Sequence, residues 1–395
     1  MTVPLSTVAA VIRGVTFAKG DALDAACSGM VPVLRAGNIA DRLVIDDDLV
    51  WVPSKRVSRE QRMQSGDIAI CMSSGSPTVV GKSALLTDGF DGSVGAFCAI
   101  LRPDTSRVVP AYLSYFLRSE RFRNWTRQSS GSAIKNIRKS ELEAFGLSLP
   151  DLEQQRRIVD LLARAEGIAR LRREAQRKAA ELIPAIFIDM FGDPATNPRA
   201  WPIEPLGNLL KNGPNNGLYK HKSSYGTGTP ILRIDAFYDG VVTDLSQLKR
   251  VRLEDEGELR RFALAEGDIV VNRVNSPEYL GKSAIIPPLA EPTVFESNMM
   301  RFTVDAARVL PEMVIALLQQ PPSRGHFFAN AKHAINQSSI NQQDVKSLPV
   351  IVPSMASQHV FLGCIQATSR IGLKQAIATE SAQATFEALL ARSFA

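Results

Sequence analysis

Short apolar runs broken by Gly, Pro, Asn and Asp alternate with stretches of helical periodicity, and the alternation occurs twice along the chain. Ala69-Ile-Cys-Met72, Ala96-Phe-Cys-Ala-Ile-Leu101, Ile269-Val-Val271 and Ser283-Ala-Ile-Ile286 have the length and flanks of strands. A helix is predicted over roughly 110–125, with Pro110 at a first helical position, and another over 311–319. Polar loops follow at Ser129-Ser-Gly-Ser132 and Asn336-Gln-Ser-Ser-Ile340.

After Pro150 the period changes. Asp151 stands as a helix N-cap with Gln154 three residues on, the capping-box spacing. Ile158, Leu161, Ala165, Ile168, Arg172, Ala175, Ala179, Leu182 and Ile186 then alternate by three and four, a coiled-coil seam. Pro184 is expected to kink the end of this helix, and Gly192 to cap it. The C-terminal segment carries a matching seam: Phe361, Cys364, Thr368, Ile371, Gln375, Ala378, Ala382, Thr385 and Leu389. Arg172 and Gln375 fall at the same seam position, and the small residues around them permit close approach. The two helices are therefore expected to pack on each other, antiparallel, about a pseudo-twofold.

The repetition extends to individual residues. Pro32-Val-Leu-Arg35 returns as Pro230-Ile-Leu-Arg233, Gly66-Asp-Ile68 as Gly267-Asp-Ile269, and Gly81-Lys-Ser-Ala84 as Gly281-Lys-Ser-Ala284. Leu149-Pro150 with Gln155 returns as Val352-Pro353 with Gln358. Offsets of 198, 201, 200 and 203 are far too long for a solenoid repeat and match a whole domain plus its connector. Two divergent copies of one module suit a protein that reads two different things a fixed distance apart.

Composition adds bounds. The 395 residues are 45% hydrophobic and 22% charged, ordinary values for two or three globular domains. Net charge is +6, with +4 before Pro198 and +2 after it, so a basic surface must come from arrangement. Cys27, Cys71, Cys98 and Cys364 lack CxxC spacing, and His221, His326, His333 and His359 are scattered, so neither a disulfide framework nor a zinc site is legible. With no signal-peptide pattern or membrane-length apolar run, a soluble cytoplasmic protein is expected.

Catalytic motifs are missing. Gly81-Lys-Ser83 resembles the end of a phosphate-binding loop, but Gly75 lies one residue too far upstream, and the repetition points to a turn the fold needs. Asn275-Ser-Pro-Glu278 lacks the second proline and the aromatic residue of an adenine-methylating motif. Asp344-Val-Lys346 has a nuclease-like shape without an upstream partner and reads as a helix start.

The candidate binding residues are basic and polar. Arg118, Arg121, Arg123, Arg127, Lys135, Arg138 and Lys139 share one stretch, with Phe122 and Trp125 read as core. Ser73 and Ser74 occupy the loop of the first copy. In the second, Tyr219, Lys220 and Lys222 lie in a Gly/Asn-rich loop, and Asn272, Arg273 and Asn275 cluster. Arg and Asn read guanine and adenine edges bidentately, while Lys and Ser suit phosphates. Arg35 and Arg233, being repeated, are assigned to the scaffold.

The duplicated Gly-Asp-Ile and Gly-Lys-Ser-Ala motifs, the prolines running to Gln155 and Gln358, and Met190-Phe-Gly-Asp-Pro194 with Trp201 resemble the specificity subunit of type I restriction–modification systems. The resemblance covers nearly the whole chain. It implies an α+β fold: two similar mixed α/β target recognition domains separated by two long antiparallel coiled-coil helices, related by a pseudo-twofold internal repeat. The boundaries would be 1–150, a central helix and linker over 151–198, 199–354, and a C-terminal helix over 355–395. It further implies a non-catalytic subunit that reads a bipartite, asymmetric sequence in double-stranded DNA. S-adenosylmethionine, ATP and Mg would belong to its partners, two modification subunits and the restriction subunits. The competing readings are a self-contained methyltransferase or nuclease with duplicated recognition domains, and a coiled-coil protein–protein adaptor. From Leu152 to Ile183 a helix would span ~48 Å, placing half-site centres no more than roughly 14 base pairs apart and favouring about 10.

Overall fold

The computed structural model describes every residue except Met1, Pro77, Asp88, 129–134, Asp244, 335–336 and Ala395. The loop at 129–132 and Asn336 therefore lie outside the described residues. By packing, the chain divides into two units, Met1–Glu174 with Ile377–Ala395, and Ala175–Ala376. Each unit joins one copy of the repeat to one half of each long helix.

Among the described residues of the first unit, Ala9–Arg13, Cys98–Pro103, Ile68–Cys71 and Ser83–Leu85 form an antiparallel sheet in that order. A second sheet sets Met30–Leu34 between Val50–Pro53 and a parallel strand, Ser93–Val94. Thr2–Pro4 pairs with Gly146–Ser148, closing the copy's two ends on each other. The helices are α1 (Pro110–Arg118), α2 (Glu120–Gln128), α3 (Lys139–Ala144) and α4 (Leu152–Phe191). The single helix predicted over 110–125 is two. Ser119 adopts extended backbone, and its hydroxyl accepts from Phe122 N at 3.4 Å, starting a new helix. That break turns Phe122 into the core against Phe145 and Trp125.

The second unit repeats this order with additions. Leu210–Asn216, Met299–Val304, Ile269–Asn272 and Ser283–Ile285 form the equivalent sheet, which continues into Gly240–Val242 and Phe237–Tyr238. Tyr225–Leu232 lies between Lys249–Val251 and the parallel Val294–Phe295, and Ile203–Pro205 pairs with Pro349–Ile351. The helices are α5 (Glu256–Phe262), α6 (Pro311–Leu318), α7 (Pro321–Asn330), α8 (Gln342–Lys346) and α9 (Met355–Ser393).

The repeated motifs are scaffold. Gly81 and Gly281 hold φ of +82° and +74°, and a Cβ there would stand 2.6 Å from Thr126 Cγ2 or 2.3 Å from Phe327 Cδ2. Glycine is what that turn against α2 or α7 admits. Asp67 is buried, accepts from Gln64 N and takes both Nε and an Nη of Arg102; Asp268 accepts from Ala265 N and from Thr303 Oγ1. Gln155 accepts from Val109 N at 2.8 Å and donates to Arg107 O and Pro150 O. Gln358 repeats this with Leu310 N, Arg308 O and Pro353 O.

Asp151 caps α4 by accepting from Gln154 N at 2.8 Å, and the helix runs through Pro184 to Gly192, where φ is +80°. In the first unit the start of α4 packs on the end of α9, burying Leu162 and Ala165 with Phe386, Leu390 and Phe394. In the second the end of α4 meets the start of α9, where Phe187 and Phe191 enclose Phe361. The two helices therefore run antiparallel. Each fully buried aromatic ring contributes roughly 1.5–3 kcal/mol.

The seam differs from the expected one by one residue at several positions. Phe361 is buried and Ile158 and Leu389 are partly buried, but Leu161, Ile168, Leu182 and Ile371 are 41–55% exposed. Inward-facing residues at those steps are Leu162, Ala169, Ile183 and Gly372. The buried glutamines set the phase: Gln155, Leu162 and Ala169 are spaced by seven, as are Gln358, Ile365 and Gly372. Adjacent apolar residues such as Leu161 and Leu162 leave the order of three and four ambiguous in sequence.

Candidate nucleic-acid interface

In the first unit Ser73–Ser74 and Lys135–Asn136 form a short antiparallel ladder, with Ser74 opposite Lys135 and Ser73 opposite Asn136. Phe97 O accepts from both Met72 N and Ser73 N, and Ile137 N donates to Met72 O, so buried Ile137 anchors the ladder. The Phe97 ring beside it is 69% exposed. Arg138 opens α3 with its side chain 78% exposed, while Glu141 accepts its backbone N–H. Arg121 is exposed on α2, and Arg127 lines a cleft with Arg42, Lys82 and Arg123.

Arg118 is engaged elsewhere. Its guanidinium lies 2.7 Å from Glu166 and within 5.5 Å of the ring centroids of Tyr115 and Phe386, tying α1 to both long helices. The sequence candidate is thereby corrected to a packing residue.

The second unit builds the same ladder from other side chains. Val274–Asn275 pairs with Gln337–Ser339, which also pairs with Lys332–Ala334. Asn298 O accepts from Arg273 N and Val274 N, so Asn298 stands where Phe97 stands in the first unit. Arg273 donates to Ser297 O at 3.1 Å, and Asn275 is half-buried. A cleft of about 520 Å3 opens beside them, lined by Asn216, Arg273, Asn341, Gln342, Gln343 and Lys346. Asn341 caps α8; Gln342 and Gln343 are exposed.

Two further candidates change role. Asn272 is fully buried, because it is the last inward residue of its strand, not the first of the loop. Lys220 is 6% exposed at its side chain and sits 2.8 Å from both Glu254 and Glu258; hydrogen bonds to Glu254 and then Glu258 push its pKa up. Tyr219 is 77% exposed and Lys222 exposed, on a segment bordering a separate cleft with Lys249, Arg250 and Glu296. Sequence reading missed Phe97, Asn216, Gln342, Gln343 and Lys346. Phe97 lies inside an apolar run, and the others are brought to Arg273 only by the fold.

Among the described residues no group of His, Cys, Asp and Glu is arranged to hold a metal ion, and no helix is long and apolar enough to cross a membrane. Unlike polar surfaces on two like scaffolds, joined by paired helices, define a duplicated recognition subunit. The family model for the type I restriction modification DNA specificity domain matches residues 1–179. The chain is 31% identical over 379 residues to the EcoKI specificity subunit of Escherichia coli K12, covering 90% of this chain and 79% of that one. It is 30% identical over 370 residues to the StySPI specificity subunit of Salmonella potsdam, with the same shares. The chain belongs to the specificity subunits of type I restriction enzymes. A solved chain described with complex assembly of a type I R-M system shares the fold, with a TM-score of 0.62 at 17% identity over 100% of this chain and 97% of its own.

Proposed function

We propose that this chain reads a bipartite, asymmetric sequence in double-stranded DNA, one part with each unit, and holds two modification subunits along its paired helices. The observation that carries this reading is the pair of equivalent ladders. The backbone around Ser73 and Val274 is held by the same bonds, yet it presents Ser73, Ser74, Phe97 and Arg138 in one unit and Asn275, Asn298, Gln342 and Arg273 in the other. Amide and guanidinium side chains give bidentate contacts to base edges, so the second unit favours purines. Exposed Leu161, Ile168 and Leu171 on the first unit's half of α4, and Val360, Ile371 and Leu373 on the second unit's half of α9, suit apolar partner surfaces. Methyl transfer with S-adenosylmethionine and ATP-driven cleavage with Mg would be supplied by the modification and restriction subunits.

The test is methylation mapping of the complex reconstituted with modification subunits. Asn275→Ala or Gln342→Ala should relax only one half-site, by about 1–3 kcal/mol per lost bidentate contact. Equal weakening on all sequences would make them phosphate contacts, and methylation by the isolated chain would overturn the reading altogether.

A further inference from the structure

The first unit contains a cleft of about 910 Å3 bordered by Arg42, Lys82, Arg123 and Arg127. Arg42, Lys82 and Arg123 are exposed. Asp41, the carboxylate among the described lining residues, lies 3.7 Å from Arg173. Ser83 also lines the cleft. It is 6% exposed, and its buried Oγ has no hydrogen-bond partner. A buried hydroxyl left unpaired costs roughly 1–3 kcal/mol, so its presence in a cationic cleft calls for an acceptor that arrives from outside.

The other copy shows what a satisfied version looks like. Ser283 Oγ accepts from Gln319 Nε2 at 3.1 Å. The residue equivalent to Gln319 is Arg118, which is drawn to Glu166 and leaves Ser83 alone. Lys282, the counterpart of Lys82, donates to Ile234 O at 2.6 Å and lies 3.9 Å from the Tyr238 ring centroid and 4.9 Å from that of Phe237. In the second unit the Phe237 and Tyr238 rings cover Lys282, whereas the counterpart positions of the first unit, Ile39 and Ala40, carry no ring and Lys82 is exposed.

We infer that the Gly81-Lys-Ser83 turn of the first unit is a phosphate site: Ser83 Oγ donates to a nonbridging phosphate oxygen while Lys82, Arg42 and Arg123 neutralise it, and the phosphate belongs to the DNA backbone. The inference rests on the chain being a DNA-reading subunit and adds an asymmetry: the first unit carries an electrostatic anchor that the second lacks at the equivalent place. Such contacts fix position and add salt-dependent affinity without reading sequence.

The experiment uses the full chain reconstituted with modification subunits and a labelled duplex containing the target. Lys82→Gln, Arg42→Gln and Arg123→Gln together should lower the slope of log K against log salt by about 0.9, the share of one phosphate, and each alone by part of that. The ratio of target to non-target binding should not change. Ser83→Ala should weaken binding several-fold at constant slope, and Arg324→Gln, the counterpart of Arg123, should leave the slope as it is. Unchanged slopes, or an altered methylated sequence, would overturn the inference. If the triple variant fails to fold, the single substitutions at exposed positions decide. Titration of the full chain with inorganic phosphate and with a mononucleotide separates the sources. Weak binding of both supports the backbone assignment, and tight mononucleotide binding abolished by Ser83→Ala refutes it. A wild-type complex that ignores every duplex would instead sink the functional reading itself.

Discussion

Replacing Gln155 by Leu keeps the volume of a fully buried side chain and deletes three hydrogen bonds. Val109 N–H is the sharpest loss. Val109 is the N-cap residue of α1 and has no side-chain cap of its own, so Gln155 supplies the cap from the first turns of α4. Arg107 O and Pro150 O lose a donor at the same time. These backbone groups are part-buried, with Arg107 exposed, so each left unpaired costs about 1 kcal/mol, the low end for buried groups. Removing the glutamine's own buried amide offsets part of this, and about 1–2 kcal/mol remains. With an m-value of roughly 2–3 kcal/mol/M, the urea midpoint of the first unit should fall by about 0.5–1 M. Trp51 and Trp125 report on that unit and Trp201 on the other, so the unfolding is followed in chains that keep one or the other signal, alongside hydrogen exchange of peptides spanning 107–113 and 308–314. Gln155→Leu should deprotect the first peptide and Gln358→Leu the second. A loss below about 0.5 kcal/mol, or deprotection of the wrong peptide, would show that the glutamines do not hold the ends of their modules together.

Phe361→Ala should cost about 3–5 kcal/mol, because the ring is 1% exposed and packs edge-on against Phe187 and Phe191; thermal unfolding of the second unit measures it, and a loss under 1 kcal/mol would deny the helix junction its role. Glu296 is 7% exposed, and burial raises its pKa against the opposing pull of Ile234 N–H and Arg233. A raised folded value means that its contribution is fully present below the ordinary 4.5 and is lost as pH rises through the folded pKa. Glu296→Gln should therefore gain on the wild type as pH rises above 4.5, and parallel pH–stability curves would refute this. Adding four residues to α4 and four to α9 lengthens each helix by ~6 Å, so the preferred gap between half-sites should widen by about two base pairs with the half-sites unchanged; methylation of a gap-length library reads this, and an unmoved gap would mean that the helices do not set the spacing.

What was legible in sequence is what is repeated. Gly81 and Gly281, Asp67 and Asp268, and Gln155 and Gln358 each do the same job twice, and a job done twice leaves a pattern at constant offset. The phase of the seam was less legible, because Leu161 and Leu162 offer two apolar faces and only the burial of Gln155 chooses between them. Charge pairing was not legible at all. Arg118 and Lys220 look like free cations until the fold brings up Glu166, Glu254 and Glu258, which lie on other elements.

The same distinction separates scaffold from recognition. A residue that must meet a base edge cannot be conserved between two modules that read different bases, but the backbone that aims it can. Phe97 and Asn298 satisfy that condition: each offers its carbonyl to two successive N–H groups of the ladder strand, and each presents a different side chain. Ser83 and Ser283 are the converse. The residue is shared, but replacing Gln319 by Arg118 at the equivalent position frees one hydroxyl and not the other. Divergence in this chain therefore acts in two ways. It changes the side chain at a fixed backbone position, which on the proposed reading alters what is read. It also changes the partner of a fixed side chain, which on the inferred phosphate site alters what is held, and this second kind becomes visible only when both copies are compared atom by atom.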